Sequence, residues 1–160
     1  MTAPHSILVA IDDSRQAQEA LERAIQIAVD SGAWLTIMHV VAPLRMPLFI
    51  SPYVAGGMEP ESDEFAERLV DRALAQVPEG IPVHVILGRG DVAEEILRRV
   101  NVAGHDLVVM GSRGLGLVRR ALLGSVSRAV LHRSPVPVIV VHTERGSSPP
   151  GLQLRKPVLL

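Results

Sequence analysis

Residues 106–125 have the sequence DLVVMGSRGLGLVRRALLGS. The run over 106–110 is short and mostly apolar, which is typical of a strand buried on both faces of a parallel sheet. Glycines follow at Gly111, Gly114 and Gly124, and a helical pattern of apolar residues begins after the last of them. A strand, a glycine-rich loop and a helix in this order predict one βα unit of a parallel sheet.

Further apolar runs of strand length occur along the chain, and stretches of helical periodicity separate them. The predicted strands are residues 6–11, 34–41, 82–87, 106–110 and 136–141. Strands that alternate with helices favour a doubly wound α/β fold, with a five-stranded parallel sheet and helices on both faces. Pro137 removes a backbone donor from the last run, which is therefore expected at an edge of the sheet.

Residues that cap helix ends mark the helix boundaries. Ser14 and the two aspartates before it offer side-chain oxygens to the first helix, and Gly32 is expected to end that helix. Asp91 is the corresponding cap after the third strand. Apolar residues at helical spacing predict the inner faces of the first three helices: Ala17, Ala20, Leu21, Ala24 and Ala28; Ala66, Leu69, Val70, Ala73, Leu74 and Val77; Ala93, Ile96, Leu97 and Val100.

Two segments fall outside this alternation. Residues 42–60 form a long connection, which is typical of a flap or a contact surface. Residues 144–160 are rich in Gly, Ser and Pro and then lose periodicity. We therefore expect a folded domain over residues 1–143 and a flexible C-terminal tail over 144–160.

Composition excludes several classes of function. The chain has 160 residues, and its 16 basic and 17 acidic residues give a net charge of -1. A protein that binds nucleic acid through its phosphates needs a far more basic surface. The absence of cysteine excludes disulfides, thiolate metal sites and cysteine nucleophiles. No apolar run approaches the roughly 18 residues that span a bilayer, and the start lacks a signal-peptide pattern, so a cytoplasmic location without membrane contact is expected.

The glycine-rich stretch after the fourth strand is the strongest candidate for a binding site. Ligands of open α/β sheets bind beyond the carboxyl ends of the strands. Glycines let backbone N–H groups approach a ligand closely, and the start of a helix at Gly124 and Ser125 favours a phosphate. The same glycines would also suffice as turns, and composition alone does not separate the two interpretations.

The spacing of these residues resembles the pattern of one known family. Gly111, Gly114, Gly124 and Ser125 match the G-2x-G-9x-G-(S/T) pattern of universal stress proteins. The resemblance covers about residues 5–143. It includes a first strand that ends in an aspartate, a His-Val pair at the end of the second strand and the terminal run SPVPVIVV.

The resemblance implies a sheet of order 3-2-1-4-5 that binds ATP or a related adenine nucleotide between strands 1 and 4. By position, Asp12 and Val40 would lie beside the adenosine. The residues that would hold the ribose and phosphates are Met110, Gly111, Gly114, Gly124, Ser125 and Val126. The resemblance also implies a homodimer formed through the last strand, 136–141. Mg²⁺ is expected to be held through the phosphates rather than by protein side chains.

Other motifs give weaker signals. Residues 88–93 (GRGDVA) match the G-x-G-x-x-A form of the dinucleotide fingerprint, but they follow the third strand, and turn glycines with a capping aspartate explain them. No Walker A sequence, zinc-helix histidine pair or Gly-x-Ser-x-Gly elbow occurs. His39 is at the end of a predicted strand and is interpreted as a structural histidine.

We therefore expect a stress-response regulator that binds ATP and is at most a weak ATPase. Two alternatives stay open. One is a slow ATPase or nucleotidyl-transfer enzyme that uses the same cleft, with Asp13 nominated as a base or metal ligand. The other is an interaction module that binds another small molecule, such as cyclic AMP.

Overall fold

The computed structural model describes residues 3–43, 62–112 and 123–142, within which strands and helices alternate. The strands are β1 (Ser6–Ala10), β2 (Trp34–Val41), β3 (Val83–Arg89), β4 (Leu107–Gly111) and β5 (Val138–Val141). The helices are α1 (Arg15–Ser31), α2 (Asp63–Leu74), α3 (Val92–Ala103) and α4 (Ser125–Arg133). Gly114, the predicted tail 144–160 and most of the predicted connection 42–60 lie outside the described residues.

The five strands form one parallel sheet of order β3-β2-β1-β4-β5, which confirms the expected fold. Strand order reverses at β1, which pairs with β2 on one side and β4 on the other. Because every strand runs in the same direction, all carboxyl ends lie along one edge, called here the carboxyl edge. The opposite side of the sheet, where the strands begin, is called the amino edge.

Helices cover both faces of the sheet. The core on the α1 face is formed by α1 and α2, and the core on the α4 face by α3 and α4. The residues that fill the α4 face are Leu8, Met38, Val40, Ala93, Ile96, Val100, Val108, Met110 and Val130. In the described part of the chain, no helix has the length and apolar character needed to cross a membrane.

The predicted helix caps are confirmed. The hydroxyl of Ser14 accepts a hydrogen bond from Ala17 N–H at 3.2 Å, and Gly32 ends α1 with a φ of 71°. Asp91 caps α3 by accepting from Glu94 N–H at 3.2 Å. These short-range signals position the starts of α1 and α3 at the carboxyl edge.

The last strand is shorter than predicted. β5 begins at Val138, two residues later than the apolar run, because Pro137 has no N–H to donate. The carbonyl of Pro137 still accepts from Val108 N–H at 3.0 Å. β5 lies at an edge of the sheet, as the proline predicts. The apolar stripe of the second helix also extends past its end, since Val77 follows α2 but still packs on the α1-face core.

Candidate functional site

The structure brings four of the predicted site residues together at the carboxyl edge. Asp12 follows β1, and Val40, Met110 and Gly111 lie at the ends of the neighbouring strands β2 and β4. The side chains of Val40 and Met110 are buried in the core on the α4 face. The ends of β1, β2 and β4 therefore form a common floor beneath any ligand bound there.

Hydrogen bonds through Ser112 fasten the start of α4 to the end of β4. The carbonyl of Ser112 accepts from Gly124 N–H at 2.7 Å. The hydroxyl of Ser127 donates to the same carbonyl at 3.1 Å and to that of Gly111 at 2.9 Å. These contacts place the first turn of α4, with Ser125 exposed, beside β4.

The cap of α4 differs from those of the other described helices. The side chains of Ser14, Ser62 and Asp91 each accept a backbone N–H at the start of α1, α2 and α3. Gly124 has no side chain to do so. Residue 124 therefore offers no capping oxygen to the first-turn N–H groups of α4. The positive end of the helix dipole is at the same place.

Gly111 is required by packing alone, without reference to any ligand. A Cβ at this position would lie 2.8 Å from Gln16 Cβ and 2.9 Å from the Gln16 carbonyl carbon, in the first turn of α1. Real Cβ atoms do not approach other atoms so closely. The glycine therefore lets α1 lie directly on β4, a constraint that sequence reasoning did not identify.

The chain after β1 is held by its neighbours. His39 Nδ1 donates to the carbonyl of Ile11 at 2.8 Å, so this buried histidine has the structural contact expected of it. Asp12 accepts from Ser14 N–H at 3.0 Å, and Asp13 pairs with Arg72 of α2 at 2.9 Å. The two carboxylates thus stabilise the turn between β1 and α1 and its contact with α2.

A cleft of about 240 Å³ opens beside this turn, between α1 and α2. Asp12 lines it, together with Asp13, Gln18, Arg72 and Gln76. None of the other predicted site residues within the described ranges lines this cleft. It is therefore distinct from the floor formed by Val40 and Met110, which belong to the opposite face of the sheet.

Comparison with known proteins agrees with this geometry. The family model described as universal stress protein family matches residues 4–142. The chain belongs to the universal stress protein family. A universal stress protein of Thermus aquaticus is 35% identical over 142 residues, covering 85% of this chain and 97% of the relative.

Two further similar proteins belong to the universal stress proteins. One, from Mycolicibacterium smegmatis, is 33% identical over 162 residues and covers 98% of this chain, which spans only 53% of that relative. The other is a crystal structure of a universal stress protein in complex with cAMP. It is 28% identical, with a TM-score of 0.62, and the match covers 89% of this chain and 99% of that one.

Two polar residues at this edge lie outside the universal stress protein pattern that the sequence analysis used. Ser112 Oγ and His142 Nδ1 are 3.0 Å apart, although 30 positions separate the residues. Gly111 pairs with Val141 across β4 and β5, so the next residues along each strand, Ser112 and His142, lie side by side. The available signal was position, since Ser112 follows two residues after the predicted strand 106–110 and His142 directly after 136–141.

Other motifs of this universal stress protein have structural roles. In the GRGDVA segment, Gly90 N–H donates to the carbonyl of Val41 at 3.1 Å and Asp91 caps α3. Both contacts agree with the turn interpretation of this segment. Across residues 3–43, 62–112 and 123–142, no group of three or more His, Asp or Glu side chains is arranged to hold a metal ion.

Proposed function

We propose that this protein binds an adenine nucleotide, ATP, at the carboxyl edge between β1 and β4. The universal stress protein solved in complex with cAMP supports a nucleotide of this class. The reversal of strand order at β1 supports the position, because open α/β sheets bind ligands in the crevice at such a switch point.

The start of α4 is the observation that carries this proposal. Its cap is a glycine, whereas side-chain oxygens cap α1, α2 and α3. A phosphate oxygen suits this position, because it accepts hydrogen bonds from helical N–H groups and is attracted by the positive end of the helix dipole.

Each predicted site residue has a place in this proposal. Asp12 and Val40 lie beside the adenosine. The residues proposed to hold the ribose and phosphates are Met110, Gly111, Gly114, Gly124, Ser125 and Val126. Mg²⁺ enters with the nucleotide and is held through its phosphates.

The proposed biological role is that of a cytoplasmic stress-response regulator. Nucleotide binding would favour one conformation of the protein, and a partner would recognise that conformation. We also propose a homodimer through the last strand, 136–141. Its support is the edge position of β5, which has β4 as its strand neighbour among the described residues.

Gly124→Asp tests the proposed site. The φ of -69° and ψ of 165° at Gly124 are open to any residue, so the variant is expected to fold. Its carboxylate would cap α4 and raise stability by a few tenths of a kcal/mol. The same carboxylate occupies the proposed phosphate position and repels the anion. We expect at least a roughly tenfold loss of ATP affinity, measured by calorimetric titration with ATP and Mg²⁺.

Gly124→Asn is the matched control, because its neutral amide caps the helix without adding charge. A smaller loss of ATP affinity in Gly124→Asn than in Gly124→Asp would show that charge repulsion, and not capping of the helix, causes the difference. Unchanged ATP affinity in folded Gly124→Asp would contradict the proposed site. Titration with cAMP in parallel distinguishes a preference for ATP from a preference for the cyclic nucleotide.

A further inference from the structure

A histidine after β5 lies close to the start of α4. Side chains alternate along a strand, so Ser112 shares the face of Met110, which is the α4 face. His142 is next to it, with its Nδ1 3.0 Å from Ser112 Oγ. The carbonyl of Ser112 accepts from Gly124 N–H, so one residue links His142 to the cap of α4.

The Ser112 hydroxyl determines which nitrogen of His142 carries the proton. Ser112 is only 1% exposed, and His142 Nδ1 is the hydrogen-bond partner of its Oγ within the described residues. A buried hydroxyl proton requires an acceptor, and Nδ1 is the acceptor within reach. The neutral imidazole therefore carries its own proton on Nε2, which is the nitrogen that Ser112 does not contact.

This arrangement makes His142 a fixed donor at the carboxyl edge. The residue is exposed, while its contact with the buried Ser112 limits the rotation of the ring. A donor that is already held in place loses little side-chain entropy when it binds a ligand. His142 contacts Ser112, and the Ser112 carbonyl accepts a hydrogen bond from Gly124 N–H. Gly124 is the N-cap of α4, which has no side-chain cap.

We propose that the Nε2–H of His142 donates a hydrogen bond to a phosphate of the bound nucleotide. This inference rests on the proposed function and adds a residue directly after the last strand, which the glycine pattern does not contain. The phosphate is then bound from two elements, the backbone at the start of α4 and the imidazole after β5.

His142→Asn tests this contact. The asparagine amide reaches the position of Nδ1 and keeps a partner for Ser112, but nothing replaces Nε2–H. We expect ATP affinity to fall by at least about tenfold, the lower end of the range for a lost hydrogen bond to a charged group. The affinity for adenosine, which has no phosphate, stays unchanged. His142→Gln places an amide nitrogen near the Nε2 position and is expected to restore part of the ATP affinity.

His132→Asn is the matched control, because His132 is an exposed histidine near the opposite end of α4. It should leave the affinities for ATP and adenosine unchanged. The inference is overturned if His142→Asn binds ATP as tightly as the wild type. It is also overturned if this variant loses ATP and adenosine affinity equally, since that result shows a structural role.

Two further results distinguish this inference from the proposed function. Nitrogen-15 NMR of the histidine side chains is expected to show His142 protonated on Nε2 in the nucleotide-free protein, and protonation on Nδ1 alone would overturn the inference. If the wild type binds neither ATP nor adenosine, the proposed function itself fails. If ATP binding is lost in Gly124→Asp but retained in His142→Asn, only the inference about His142 fails.

Discussion

The two edges of the sheet differ in how their polar groups are paired. At the amino edge, the carboxylate of Asp106 accepts from the backbone N–H groups of His5 and Ser6, at 2.9 and 3.1 Å. Ser6 Oγ lies 2.7 Å from Nδ1 of the buried His105. Trp34 packs on His105 with ring centroids 4.9 Å apart. Contacts within the chain thus occupy most of the polar groups at this edge.

At the carboxyl edge, the described residues leave donors at the surface. Gly124 caps α4 without a side chain, and Ser125 and His142 are exposed beside it. Histidines and serines occur at both edges, so residue type alone does not distinguish them. The difference is exposure, because Ser6 and His105 are buried at the amino edge, whereas Ser125 and His142 are exposed at the carboxyl edge. A polar cluster is available to a ligand only where its donors reach the surface.

The largest effect is expected from Gly111→Ala at the carboxyl edge. The added Cβ would meet the backbone and Cβ of Gln16, which cannot move without shifting the first turn of α1. We expect the free energy of unfolding to fall by about 3 kcal/mol, the upper range for overpacking a core. Urea denaturation of the wild type and the variant would measure the difference.

Gly88→Ala is the matched control for a glycine at the end of a strand. There a Cβ would lie 3.3 Å from Met38 Cε and 3.3 Å from Val40 Cγ2, and both are the ends of side chains. Such atoms can move by a few tenths of an ångström, so we expect a loss of less than about 1 kcal/mol. Equal losses in the two variants would show that the contact with α1 does not constrain Gly111.

The strands, helix caps and sheet order were predictable because their signals are local or belong to a family pattern. Ser14 and Asp91 bind N–H groups three residues ahead, so their capping role is visible in a short window of sequence. Strands buried on both faces appear as continuous apolar runs. Pro137 also predicted correctly that the last strand lies at an edge of the sheet, although β5 begins one residue after the proline.

The roles of Gly111 and His142 were not predictable in the same way. The need for a glycine at 111 comes from the approach of α1, which depends on how that helix packs across the sheet. The pairing of His142 with Ser112 depends on the register of β4 and β5. No spacing rule relates residues 30 positions apart, so only the folded structure identifies this pair.

At the amino edge, we expect a pH-dependent loss of stability that involves His105. Burial lowers the pKa of His105 below its ordinary 6.5, and the nearby Arg99 and His84 lower it further, while Asp106 opposes them. Its Nε2 is buried without a hydrogen-bond partner among the described residues, so the charged imidazolium would not be fully hydrogen-bonded. The unfolded chain therefore binds the proton more tightly, and stability falls as the pH drops below about 6.5.

His105→Asn tests this expectation, because its amide keeps a polar contact for Ser6 and does not titrate. The free energy of unfolding, measured by urea denaturation between pH 8 and pH 5, should decline less steeply in the variant than in the wild type below pH 6.5. Both proteins should have parallel profiles above that value. Identical slopes throughout would show that His105 does not contribute to acid sensitivity.

The smallest effect is expected from Asp13→Asn, which separates structure from chemistry at the carboxyl edge. Asp13 pairs with Arg72 at 2.9 Å, and the two side chains are 44% and 61% exposed. An exposed ion pair of this kind stabilises by less than about 1 kcal/mol, and Arg72→Gln should give a similar loss in urea denaturation. ATP affinity should stay unchanged, because the pair lies toward α2 and away from α4. A different result would favour the enzyme alternative, in which the Asp13 carboxylate acts on the nucleotide. In that case Asp13→Asn would lose ATP affinity, or would no longer release ADP slowly from ATP, whereas Arg72→Gln would keep both properties.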